Sequence, residues 1–117
     1  MASEDAPSIK GYHAHVYFDA ATREKAWVLR DTVGKAFPAA QIGRFHEQNV
    51  GPHPRWSFQI AFAPDQFDRI VPWLMLNREG LTVFLHPETG DDLPDHAERA
   101  IWMGELLPLN LDALRGG

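Results

Sequence analysis

The stretch Gly11-Tyr12-His13-Ala14-His15-Val16-Tyr17-Phe18-Asp19 constrains this chain more than any other. Its aromatic and β-branched residues, bounded by a glycine and an aspartate, read as a strand. Successive strand side chains face opposite ways, so His13, His15 and Tyr17 share one face. Tyr12, Ala14, Val16 and Phe18 share the other, which is the more apolar and needs a core to cover it. The chain must therefore build a sheet with one packed face and one face that sets two imidazoles side by side. That is also how β-rich proteins present two ligands to a single metal ion.

The remaining pattern supplies the cover. Ala26, Leu29, Val33 and Phe37 recur at helical spacing between Ala20 and Phe37, after Asp19 as a suitable N-cap and before Pro38 as a stop. Gln41 to Gln48 reads as a short polar strand, and Asn49 to Pro54 as a glycine- and proline-rich turn. Arg55 to Ala63 alternates, with Trp56, Phe58, Ile60 and Phe62 on one side and Ser57, Gln59 and Ala61 on the other. A second helix is expected from Pro64-Asp65, with Phe67, Ile70, Val71 and Leu74 on one stripe, a kink at Pro72 and a stop at Gly80. Leu81 to His86 reads as a strand, and Pro87 to Pro94 as an acidic loop. Asp95 is expected to cap a short helix that ends near Gly104, and Leu106 to Leu114 to form an edge strand.

This order, strand–helix–strand–strand–helix–strand plus a small extension, predicts an α+β fold. It is a ferredoxin-like sheet with helices on one face, its first and third strands central and parallel, its fourth antiparallel beside the first. A length of 117 residues suits one domain: a lead-in over 1–10 and a single domain over 11–117. The absence of cysteine removes disulfides, zinc ribbons and iron–sulfur clusters, so any metal must be held by nitrogen and oxygen. A net charge of −5 with no basic run argues against nucleic acid as a partner. No apolar run approaches the roughly 20 residues that span a bilayer, and residues 1–10 lack the apolar core of a signal peptide. A cytoplasmic location follows as an expectation.

Under that topology His13, His53, His86 and His46 fall toward one end of the sheet. His15 lies one pleat deeper, and His96 opens the helix after the fourth strand. Six gathered histidines predict a metal site. Taken singly, His46 reads as a solvated position. Glu88, Asp91, Asp92 and Asp95 read as loop solubilisers and caps, and Trp56, Phe84 and Trp102 as packing. There is no phosphate-binding glycine loop, nucleophile elbow or dinucleotide fingerprint.

Four motifs then carry a resemblance: Tyr12-His13-Ala14-His15-Val16-Tyr17-Phe18; Gly51-Pro52-His53-Pro54; Leu81 to Asp91, with His86-Pro87-Glu88-Thr89-Gly90 at its heart; and Asp95-His96 followed by Ile101-Trp102-Met103-Gly104. In this order they resemble the DOPA 4,5-dioxygenase family, the fungal and bacterial ring-cleaving group, over nearly the whole chain after the lead-in. The resemblance implies a non-haem Fe(II) enzyme that opens the ring of a small, DOPA-like catechol with O2. It also implies a homodimeric α+β barrel, in which a second subunit covers the open face of the sheet. Within it, His13, His15 and His86 are the expected ligands, because the pleat puts them nearest one another, and another divalent metal is compatible with them. His96, at the expected helix N-terminus, takes acid–base duty. His53 is its rival for that role or completes the metal shell. Arg44 or Arg55 is a candidate for a substrate carboxylate, and Phe84 for contact with the substrate. The alternative is a dimeric ferredoxin-like module that binds a metal or a small aromatic ligand without turnover. The surplus of histidines favours the enzyme.

Overall fold

Strand β1 spans Gly11–Phe18 and runs through the middle of a five-stranded sheet in a computed structural model that describes residues 8–115. The first seven residues of the expected lead-in, and the last two of the chain, lie outside the described residues. The helix α1 follows at Arg23–Ala36, then β2 at Gln41–Ile42, β3 at Trp56–Phe62, α2 at Phe67–Asn77 and β4 at Val83–Glu88. A short helix, α3 at Asp92–His96, and the strand β5 at Ile101–Met103 complete the order. The fold is α+β, with strand order β2-β3-β1-β4-β5.

The alternation in β1 decides which face is covered. Ala14, Val16 and Phe18 are buried with Phe58, Ile60 and Phe62 of β3 and Val83 and Leu85 of β4. Ala26, Leu29 and Val33 of α1 and Ile70, Val71 and Leu74 of α2 close the same core, so both long helices lie on one face. Each fully buried valine, leucine, isoleucine or phenylalanine among them contributes about 1.5–3 kcal/mol, which is why the helical stripes and strand faces find one another. Pro72 does not break α2. It is exposed, and the helix absorbs the lost hydrogen bond on its solvent side. The helix ends at Asn77, and Gly80 takes the positive φ of 81° needed to turn the chain into β4.

Several expectations are corrected. β1 and β3 are central but antiparallel, not parallel, with His13 opposite Ala61 and Tyr17 opposite Ser57. The polar segment after α1 forms only two residues of strand, plus an isolated bridge between His46 and Ser57. The third helix starts before Asp95, ends at His96, and leaves Ile101–Met103 to pair with β4 as the edge strand. Leu106 to Leu114 is not a strand. It ends in a single 3-10 turn at Leu111–Leu114, and Leu107 packs with Tyr17 and Phe84 on the histidine face. Helices are therefore not confined to one face, since α3 also sits on this second one. No helix among the described residues is long and apolar enough to cross a membrane.

Candidate metal centre

The register of β1 against β4 places His13 directly opposite His86 and His15 opposite Phe84. His15 and His86 are thus diagonal neighbours on one face, a separation that long side chains bridge. Their Nε2 atoms lie 3.0 Å apart. His13, His15 and His86 each offer a nitrogen within 4.8 Å of the other two. His15 and His86 are buried, and His13 is partly open to solvent.

The surrounding hydrogen bonds orient these rings. His86 Nδ1 lies 3.0 Å from the Pro87 carbonyl oxygen, which can only accept, so Nδ1 carries the proton and Nε2 keeps a lone pair. His13 Nδ1 is 3.0 Å from the Glu88 carboxylate, which leaves its Nε2 free in the same way. The bond between the two Nε2 atoms in the metal-free state is then donated by His15. A ring nitrogen turned to a carbonyl or carboxylate, with the other turned inward, is the arrangement that metal-ligating histidines adopt. Two nitrogens about 2.1 Å from one ion and at right angles would be about 3 Å apart, so His15 and His86 have the spacing of two ligands on one divalent ion, and His13 offers a third nitrogen within 4.8 Å of both.

Electrostatics favour the neutral, ligating form. Burial lowers the pKa of His15 well below its usual value, and the neighbouring imidazoles lower it further. Burial also lowers His86 to about 3. His13 is lowered too, chiefly by burial, which the charge of Glu88 opposes.

Two further histidines close on this triad. His53 precedes β3, so the antiparallel pairing puts it at the end of β1 opposite His13. It nevertheless meets the cluster, because His15 lies mid-strand and the two ring centroids are 4.2 Å apart. Its Nδ1 is 2.6 Å from the Tyr17 hydroxyl. Burial, with smaller contributions from His96 and His46, brings the His53 pKa down to about 4, while burial pushes the Tyr17 phenol well up. The His96 ring centroid lies 3.8 Å from that of His86. His96 is the last residue of α3, not its opening, so the dipole argument made for it does not apply. Its orientation comes instead from Nδ1, which donates to the Asp92 carbonyl at 2.7 Å and leaves a lone pair on Nε2. His46 does not join these ring contacts.

A buried latch holds α3 in place. Asp95, only 1% exposed, accepts from the Thr89 N–H at 2.8 Å, from the Thr89 hydroxyl at 2.8 Å and from Arg99 at 3.0 Å. Burial works to raise the Asp95 pKa, but these bonds outweigh it and hold the carboxyl below its usual value. An open cleft of about 370 Å³ reaches the triad at His13, lined by Lys10, Tyr12, Gln41, Phe62 and Glu88 among others.

The chain is similar to known proteins over most of its length. The model of the Dopa 4,5-dioxygenase family matches residues 12–113. The chain belongs to the DOPA 4,5-dioxygenase family. It is 37% identical over 111 residues to a DOPA 4,5-dioxygenase of Amanita muscaria, covering 88% of this chain and 49% of that one. It is also 37% identical over 115 residues to an uncharacterised 21.2 kDa protein of Botryotinia fuckeliana, covering 89% and 63%. The chain thus spans about half to two thirds of the curated relatives it matches. A crystal structure of a candidate dioxygenase from Nostoc punctiforme superposes with a TM-score of 0.89 at 53% identity, covering 92% of each chain.

Of the other residues expected to act, Phe84 meets the cluster and the two arginines do not. Phe84 is fully buried beneath the cluster, stacked on His15 and tilted against Trp102. Arg55 is paired with Glu105 and borders a separate cavity with Asp19 and Trp56. Arg44 is exposed. Sequence reasoning passed over Glu88 and Asp95 as loop solubilisers or caps, and took no functional notice of Tyr17. Parity was the available signal: Glu88 shares a face with His86, and Tyr17 with His15. For Asp95 the local signal was Arg99, four residues on.

Proposed function

We propose that this chain is an extradiol ring-cleaving dioxygenase that acts on a small, DOPA-like catechol with Fe(II) and O2. The observation that carries this reading is the surplus of imidazoles. Three converge with their nitrogens within 4.8 Å, and two more pack against them with rings that no metal site would need as ligands. Binding alone would require the first three only.

In this reading His13, His15 and His86 hold the metal, and Glu88 and the Pro87 carbonyl fix two of the rings. A bound ferrous ion supplies open coordination positions at which a catechol and dioxygen meet. Both oxygen atoms end in the ring-opened product, so no external reductant is consumed. His96 presents the Nε2 lone pair and takes the proton that a catechol hydroxyl gives up. The cleft beside His13 is the substrate's way in, and its size is that of small-molecule sites. Phe84 forms the floor beneath the triad. A carboxylate on the substrate would meet Lys10 at the cleft before Arg44 or Arg55. The working form is a cytoplasmic homodimer of a single domain over 11–117 after its lead-in. A second subunit completes a ferredoxin-like α+β barrel over the part of the histidine face that the C-terminal segment leaves half-buried, around Gln59 and Ala61.

Anaerobic reconstitution with Fe(II), then addition of catechols and oxygen, tests the proposal. A yellow ring-opened product with one O2 consumed per catechol is expected. A stable metal–catechol complex without oxygen uptake would instead make the chain a binding module.

A further inference from the structure

Two histidines beside the triad compete for the same duty, and their hydrogen bonds divide it. His96 donates from Nδ1 to a carbonyl, which settles its proton on Nδ1. His53 faces a different partner. Tyr17 is 1% exposed, and among the described residues its hydroxyl has one hydrogen-bond partner, His53 Nδ1, at 2.6 Å. If Nδ1 carried the proton, the buried phenolic hydrogen would have no acceptor, a loss of about 1–3 kcal/mol. The phenol therefore donates and Nδ1 accepts. A neutral imidazole that accepts at Nδ1 carries its hydrogen on Nε2.

We infer that Tyr17 is a positioning residue that fixes His53 as the Nε2–H tautomer, so that His53 serves the site as a hydrogen-bond donor to an anionic oxygen of the substrate, and as neither metal ligand nor base. Its Nδ1 is occupied by Tyr17 and its Nε2 has no lone pair to give. Its backbone N–H, bonded to the Val50 carbonyl at 3.1 Å, ties the turn that carries it. The ring rests against His15, so the donor stands beside the triad. The identity of the accepting oxygen rests on the ring-cleaving reading, whereas the tautomer does not.

Long-range nitrogen–proton correlation spectra of the metal-free full chain, with nitrogen-labelled histidine, distinguish the tautomers. The His53 signals are assigned by their absence in His53→Gln. At neutral pH the parent should show His53 protonated on Nε2, and Tyr17→Phe should shift it to a mixture. Titrated anaerobically with Fe(II), His53→Gln should bind metal with the parent's stoichiometry. In the active enzyme, Tyr17→Phe should lower kcat about tenfold or more with KM little changed, the factor set by one lost hydrogen bond. A His53 proton on Nδ1 in the parent, an unchanged tautomer in Tyr17→Phe, or loss of iron from His53→Gln would each overturn the inference. If Tyr17→Phe does not fold, the parent spectrum and the His53→Gln titration still decide it. None of the spectroscopic or metal readouts needs turnover, so a chain that opens no catechol would fail the dioxygenase reading alone.

Discussion

Replacing Asp95 with alanine should destabilise the protein by about 2–4 kcal/mol and loosen the segment that carries His96. The Asp95 carboxylate accepts from three donors, the N–H and hydroxyl of Thr89 and the Arg99 guanidinium, at 2.8 to 3.0 Å. Removing one partner of a buried ion pair costs about 3–5 kcal/mol when the other charge stays buried. Here the Arg99 side chain is 33% exposed and regains water, which trims that figure. The part-buried Thr89 N–H loses its acceptor as well, which adds about 1 kcal/mol. Denaturant melts of metal-free protein measure the sum, and hydrogen exchange at Thr89 locates it. Asp92→Ala, one turn away and exposed, should stay within about 0.5 kcal/mol of the parent. An Asp95→Ala protein as stable as the Asp92→Ala control, with Thr89 still protected, would refute the latch.

Three further outcomes are expected. His86→Ala should lower Fe(II) affinity by about a hundredfold or more, since even outer partners of metal ligands cost about 10–100-fold, and normal iron content would remove His86 from the shell. His96→Ala should keep its iron while losing about a hundred- to ten-thousandfold in turnover, and a variant with parental kcat would end its acid–base role. The metal-free protein should lose stability as pH falls from about 6.5 toward 4. The unfolded chain then takes up protons that His53, held at about 4, and His86, at about 3, refuse. The His53 share is about 3 kcal/mol over that window, it vanishes above it, and His53→Gln should flatten the slope correspondingly.

Much of the site was legible in the sequence because parity along a strand is local. His13, His15 and Tyr17 share a face by the pleat alone, as do His86 and Glu88, and the apolar stripes of α1 and α2 show which face is covered. The motifs named the family. Direction and distance between elements are not local, and there the sequence misled. A helical crossover sets β2 parallel to β1 and the turn before β3 reverses the chain, so β3 runs against β1, which moved His53 to the far end of the sheet and beside Tyr17. The helix boundary around Asp95 depended on a hydrogen-bonded latch to Thr89 and Arg99 that forms only when the chain folds back over β4, and the latch put His96 at the end of α3. Sequence decided which side of each element faces the histidine cluster. Tertiary structure decided which end each histidine reaches and, for His13, His15 and His53, which nitrogen holds the proton, because their hydrogen-bond partners come from distant segments.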